Sequence, residues 1–316
     1  MVDTPTTNPA TADAWWLLPE YASGSLDLPG QSRLTPRGRE ALDRLAALAE
    51  AGKIAIPQIP RAVSQALAIL RSDNAEPEDV SKAVAADPSL VAQMLRYANS
   101  AMFATRVPID NLQRAVMHVG MKRLQSLLLE LSVDSITGNL ASRKHAAMEW
   151  AFARHCALIS RSLAVATGQD TDQCYLVGLL RDIGRLAVLS AIERLPGMEK
   201  EPKAGSDVEI ILESLARAVG SQLAKLWELP PSVVDAVAKR VNGRREDEAP
   251  MGQFASTTVS EAAGDICHAL GLGRFKRPFL IRNARPFRDI GLDEAAVERF
   301  FRTSLPAALQ QASELA

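Results

Sequence analysis

Four histidines (His118, His145, His155 and His268) and three cysteines (Cys156, Cys174 and Cys267) are the only imidazoles and thiols in this sequence. Ligands of this kind suit zinc, iron or copper when several converge. None of them stands in an H-E-x-x-H or C-x-x-C spacing, and the chain has no EF-hand loop, Walker A, G-x-S-x-G or dinucleotide fingerprint. Acidic pairs such as Glu78/Asp79 and Glu246/Asp247/Glu248 fall in polar caps or loops. A solvated carboxylate keeps its ordinary pKa and makes a poor acid-base pair. The sharpest chemical feature is Arg181-Asp182, set in the apolar run YLVGLLRDIGRLAVLSAI from Tyr175 to Ile192. Read by itself it is an ion pair or a helix-junction clamp, and His155 reads as a hydrogen-bonded core histidine.

The second feature is basic. Lys239, Arg240, Arg244 and Arg245 precede the stretch carrying Arg274, Lys276, Arg277, Arg282, Arg285 and Arg288, interleaved with Phe275, Phe279 and Phe287. Arginine forks fit phosphate and carboxylate alike, so the stretch is a candidate partner or anion surface. Cations among aromatics could also grip a nucleic-acid backbone and stack bases. The chain as a whole is balanced, with 36 Lys+Arg against 37 Asp+Glu, so it does not coat nucleic acid along its length.

The elements that must position these residues read as helices throughout. Hydrophobic residues make up 47% and aromatics 5%, enough for a sizeable core of Leu and Ala type. Residues 1–33 read as a loose arm rich in Pro, Thr, Gly and Ser, and 34–54 as one helix ended by Gly52. Asp87-Pro88 is a helix start, and Asp110/Gln113 and Ser206/Glu209 are spaced as capping boxes. Gly168 ends a long helix from about Arg143. No valine-rich alternation of strand type appears. Arg181, Asp182 and Arg185 in mid-run make a buried helical hairpin the expectation there, not a membrane span. No secretory leader is recognisable, and three scattered cysteines make no disulfide framework, so a cytoplasmic, reducing setting is expected.

Six segments together resemble the HDOD domain, a relative of the HD metal-dependent phosphohydrolases. They are IPQIPRAVSQALAIL from Ile56, DPSLVAQMLRYANSAMF from Asp87 and PIDNLQRAVMHVGMKRLQSLLLEL from Pro108. Then come WAFARHCALISRSLA from Trp150, CYLVGLLRDIGRLAVL from Cys174 and VGSQLAKLWELPPSVVDAV from Val219. Order and spacing fit over residues 55–243. The resemblance implies an all-α, HD-like bundle with an N-terminal helical subdomain, and leaves 251–316 as a C-terminal helical extension on or beside it.

The same resemblance exposes losses. Where the HD-type pattern reads His-Asp in LLHDIG, this chain has Arg181-Asp182, and His155 matches the earlier histidine. Ala216 and Arg217 stand where the family often shows a histidine, and Arg240-Val241 stands near a His-His position. A guanidinium cannot ligate a metal. His155, Arg181, Asp182 and Arg240 are therefore expected to line a vestigial pocket with no metal, no cofactor and no catalytic residue. The resemblance thus implies a non-catalytic signal-transduction or regulatory protein that binds another signalling protein, with a nucleotide signal as a further candidate ligand. Nucleic acid and membrane insertion are not expected. The alternatives are a metal-dependent nucleotide phosphohydrolase and a nucleic-acid-binding regulator using the C-terminal basic segment.

Overall fold

The computed structural model describes residues 34–54, 57–100, 103, 107–198, 206–239, 255–272, 287 and 290–314. Among these every regular element is helical. The arm at 1–33, Arg240 and the basic positions Arg274, Lys276, Arg277, Arg282, Arg285 and Arg288 lie outside the described residues.

The centre is the hairpin expected from the apolar run. Helix α8 (Thr171–Leu180) and helix α9 (Ile183–Ile192) are joined at Arg181-Asp182. Every residue of α9, and α8 from Cys174 onward, is buried. An element apolar all round can be stable in water only if others surround it. Helix α7 (Arg143–Thr167) packs along α8, and α10 (Asp207–Leu226) packs along α9. Helix α11 (Pro231–Lys239) touches α8 and α10, and α12 (Ala255–Leu270) lies against α7 and α8. No helix among the described residues is long and apolar enough to cross a membrane.

Close approach is set by glycines. A Cβ on Gly184 of α9 would land on the Ala216 carbonyl oxygen and within 2.8 Å of the Gly220 Cα, both on α10. On the other side of the hairpin, a Cβ on Gly178 would meet the Ala157 Cα and the Cys156 carbonyl of α7 at 2.9 Å. Backbone contact at both crossings is what lets two flanking helices seal one hairpin.

Before this core stand α1 (Pro36–Glu50), α2 (Arg61–Leu70), α3 (Pro77–Ala85), α4 (Pro88–Ala98), α5 (Leu112–Val119) and α6 (Met121–Gly138). Helix α1 is strapped to α10: the Thr35 amide donates to Asp207 Oδ1 at 3.0 Å, and Gln222 Nε2 donates to the Ala49 carbonyl at 2.5 Å. Trp227 Nε1 holds the following segment through the Pro57 carbonyl at 3.3 Å. Asp87 caps α4 by accepting from the Ser89 and Leu90 amides, as its position before Pro88 predicts. Ser206 caps α10 through the Glu209 amide. The cap of α5 is Asn111, which accepts from the Arg114 amide, and not Asp110. Asn99 closes α4: its Nδ2 donates to the Leu95 and Ile109 carbonyls, each at 2.8 Å, and its Oδ1 accepts from the Ile109 amide at 2.7 Å. That is a structural role, pinning the chain ten residues on. After α12 come α13 (Glu294–Arg299), a π-helical turn (Phe300–Ser304) and α14 (Leu305–Glu314), which packs on α7.

The α9–α10 crossing generates a contrast. Gly184→Ala should lower stability by about 3 kcal/mol, because the added methyl meets backbone that cannot step aside. Gly138→Ala, with open space around its Cβ, should be neutral or stabilising by up to about 1 kcal/mol. Urea denaturation of the two variants checks this, and equal midpoints would contradict the crossing.

Candidate functional site

Arg181 and Asp182 sit where α8 turns into α9, with side chains 7% exposed each. Arg181 Nε lies 3.4 Å from Asp182 Oδ2. The same guanidinium donates through Nη1 to the Ser260 carbonyl of α12. Gly264, one turn further along α12, leaves the notch it fills: a Cβ there would come within 2.8 Å of Arg181 Cζ. Arg181 and Asp182 thus form an ion pair at the helix junction, and the guanidinium bridges that junction to α12. Asp182 does not cap α9 with its side chain; the neighbouring guanidinium is among its partners.

His155 is half-buried on α7, and its Nδ1 lies 2.7 Å from the Ala151 carbonyl one turn back. That contact requires the proton on Nδ1. Burial pushes its pKa below the ordinary histidine value, helped by Arg154, against the opposing pull of the carbonyl. Burial and Arg154 both favour the neutral ring, in which Nε2 is the lone-pair nitrogen. His155 keeps the form a metal ligand takes. The other ligands do not follow it. The position beside Asp182 is a permanent cation, and Ala216 lies at the α9–α10 crossing with its carbonyl oxygen against Gly184. Among the described residues no three of His, Cys, Asp and Glu are placed to hold a metal ion. The donor set thus does not fit the divalent site of the HD enzymes. Arg240, the fourth residue of the expected pocket, lies outside the described residues, as does the whole basic run.

Two buried polar clusters were not singled out from the sequence. In the first, Arg185 of α9 is 7% exposed and ringed by acids from two helices. Its Nε donates to Glu149 Oε1 of α7 at 3.0 Å, its Nη2 approaches Glu209 of α10 at 3.4 Å, and its Nη1 bonds Glu213. His145 Nε2 lies 3.1 Å from the same Glu149 oxygen. Arg185 and His145 hold the Glu149 carboxyl below its ordinary value although burial alone would raise it. Glu209 goes the other way: desolvation outweighs Arg185 and lifts it to about 7. The signal available in sequence was Arg185 itself, since a charge inside an apolar hairpin must find partners.

In the second cluster Glu130 of α6 is 2% exposed. It accepts from Tyr175 Oη of α8 at 2.8 Å and from Tyr97 Oη of α4 at 3.4 Å, both on Oε2. The Arg161 guanidinium of α7 stacks 4.0 Å from the Tyr175 ring centroid. Burial raises Glu130 to about 7, opposed by the Tyr175 hydrogen bond and by Arg154.

Comparison with known proteins bears on residues beyond these contacts. Residues 56–242 match the family model described as the HDOD domain. A solved structure of an HDOD domain protein of unknown function from Geobacter sulfurreducens is 22% identical, with a TM-score of 0.66, covering 88% of this chain and 99% of that one. A protein of Shewanella amazonensis whose name proposes a metal-dependent phosphohydrolase gives 0.64 at 16% identity, over 88% of this chain and all of that one. At these identities the likeness is one of fold. An uncharacterized protein of Treponema pallidum is 25% identical over 190 residues, 58% of this chain. The match spans 37% of that relative's length.

Two measurements test these clusters. Asp182→Ala removes the acid beside a buried guanidinium and should cost about 3 kcal/mol; an unchanged urea midpoint would rule out the clamp. The second concerns pH. With a folded pKa of about 7 against an ordinary 4.5, Glu130 keeps a proton in the folded chain that the unfolded chain has released. Stability should therefore fall as pH rises from about 4.5 to 7, by as much as about 3 kcal/mol from this group. Glu209 acts in the same sense. Glu130→Gln should show a shallower decline between pH 5 and 8, and parallel curves would refute the assignment.

Proposed function

The chain belongs to the HDOD domain family, and we propose that it works as a non-catalytic signalling protein whose output is binding to another protein. The family is a bacterial, HD-related signalling family, matched here over residues 56–242. The observation that carries the non-catalytic reading is the seat of Arg181. A guanidinium stands at the histidine position of the HD motif, paired with Asp182 and tied to the Ser260 carbonyl. Metal-assisted hydrolysis needs an ion with open coordination positions to polarise phosphate and ionise water. A guanidinium has no vacant orbital, and its charge repels a second cation from the acid beside it.

In this reading His155, Arg181 and Asp182, with Arg240 outside the described residues, line a vestigial pocket. The chain divides into an arm at 1–33, a helix at 34–54, the HDOD domain at 55–243 and a helical extension at 251–316. Contacts of α12 with α7 and α8 support an extension packed on the domain. The basic positions from Arg274 to Arg288 are the proposed surface for an acidic protein partner or a nucleotide signal.

Protein purified without chelator should carry far less than one transition metal per chain by elemental analysis. It should also leave a panel of nucleotides and cyclic dinucleotides intact with manganese or magnesium added. About one tightly held metal per chain, or metal-dependent turnover lost in Asp182→Ala, would replace this reading with the phosphohydrolase.

A further inference from the structure

Cys156 of α7 and Cys267 of α12 meet inside the protein. Both are 0% exposed, and their sulfurs lie 3.5 Å apart. A disulfide needs about 2.05 Å between sulfurs, so closure asks for about 1.5 Å of approach. The two residues are 111 positions apart in sequence. Cys156 lies inside the segment matched by the family, while α12 lies beyond it. The pair thus joins the domain to the helix that holds Arg181 in place through Ser260 and Gly264.

We infer that Cys156 and Cys267 form a redox-sensitive staple, closed as a disulfide by exchange with a small-molecule disulfide, that locks α12 onto the domain. The exchange balances in two steps. One cysteine, as thiolate, attacks the small disulfide, forms a mixed disulfide and releases one small thiol. The other loses its proton, attacks the protein sulfur of that mixed disulfide and releases the second small thiol. Two protein thiols are oxidised and one small disulfide is reduced to two thiols.

Burial also sets when this happens. It pushes the Cys267 thiol well above its ordinary range; the neighbouring Cys156 pushes the same way, and Arg181 pulls against both. Cys267 is held as the thiol and both sulfurs are out of reach, so the pair waits for α12 to lift away by local opening. Oxidation then traps the docked arrangement when α12 returns. Cys174 of α8 is buried too, and serves as the internal control.

The test uses the full chain in native buffer with oxidised glutathione, followed by alkylation and peptide mapping. The expected product joins the Cys156 and Cys267 peptides and leaves Cys174 alkylated. It should unfold at higher denaturant than the reduced chain, and dithiothreitol should reverse the shift. Cys267→Ser should form no bridge and show no shift. If that variant does not fold, mapping and reversal on the natural chain decide alone. Three free thiols under conditions that oxidise the unfolded chain would overturn the staple. So would glutathione adducts only, comparable bridging through Cys174, or a bridge that leaves the midpoint where it was.

Discussion

Two guanidiniums inside a helical hairpin with no exposed face determine what else this protein must contain. Arg181 and Arg185 are four residues apart, one at the turn and one in the first turn of α9. A charge left alone in such a place would cost several kcal/mol, so acceptors have to come from the surrounding helices. Arg185 takes carboxylates from α7 and α10. Arg181 takes Asp182 and a backbone carbonyl of α12. The helices that bury the hairpin are therefore also the ones that neutralise it, and apolar packing and charge pairing select the same neighbours. Gly184 and Gly264 then allow the close approach that these short contacts need.

This arrangement explains how much of the molecule could be read from its residues. The hairpin was legible because apolar residues surround three charges, which no lipid-facing helix would carry. Asp87, Ser206 and Gly168 mark helix ends by local chemistry, and Gly168 takes the left-handed conformation at its cap that glycine alone adopts freely. The misplaced cap at Asp110 differs from Asn111 by one position, because both residues can accept from an amide three positions on. A lone sequence does not decide between them.

The partners of the buried charges were not legible. Glu149 lies 36 positions from Arg185, and Glu209 and Glu213 lie 24 and 28 from it. Along the chain each looks like an ordinary helix-surface acid. In the sequence Glu209 stands out only by its capping spacing from Ser206, yet its carboxylate faces Arg185. The acceptor of Arg181 is harder still, since any residue has a carbonyl and only Gly264 hints that something large passes by. Glu130 gives no local sign at all. Its phenol donors come from α4 and α8, and only folding brings them to one oxygen.

The arginine that the resemblance sets at the histidine position of the HD motif can be understood through charge. A bundle that holds a divalent metal has a buried cation at its centre, with acids and carbonyls turned towards it. Replacing a ligand histidine by arginine keeps a buried positive charge and attaches it covalently to the chain. What the site loses is exchangeability and Lewis acidity: a guanidinium cannot leave, cannot bind water as a ligand and cannot lower its pKa as a metal does. What it gains is directed hydrogen bonding, because a planar fork grips a carbonyl and a carboxylate at fixed angles. In the non-catalytic reading, this arginine is a latch between the helix junction and α12. The helix it latches, α12, lies beyond the matched domain. A metal at the same place would bind phosphate; the arginine binds the protein's own backbone.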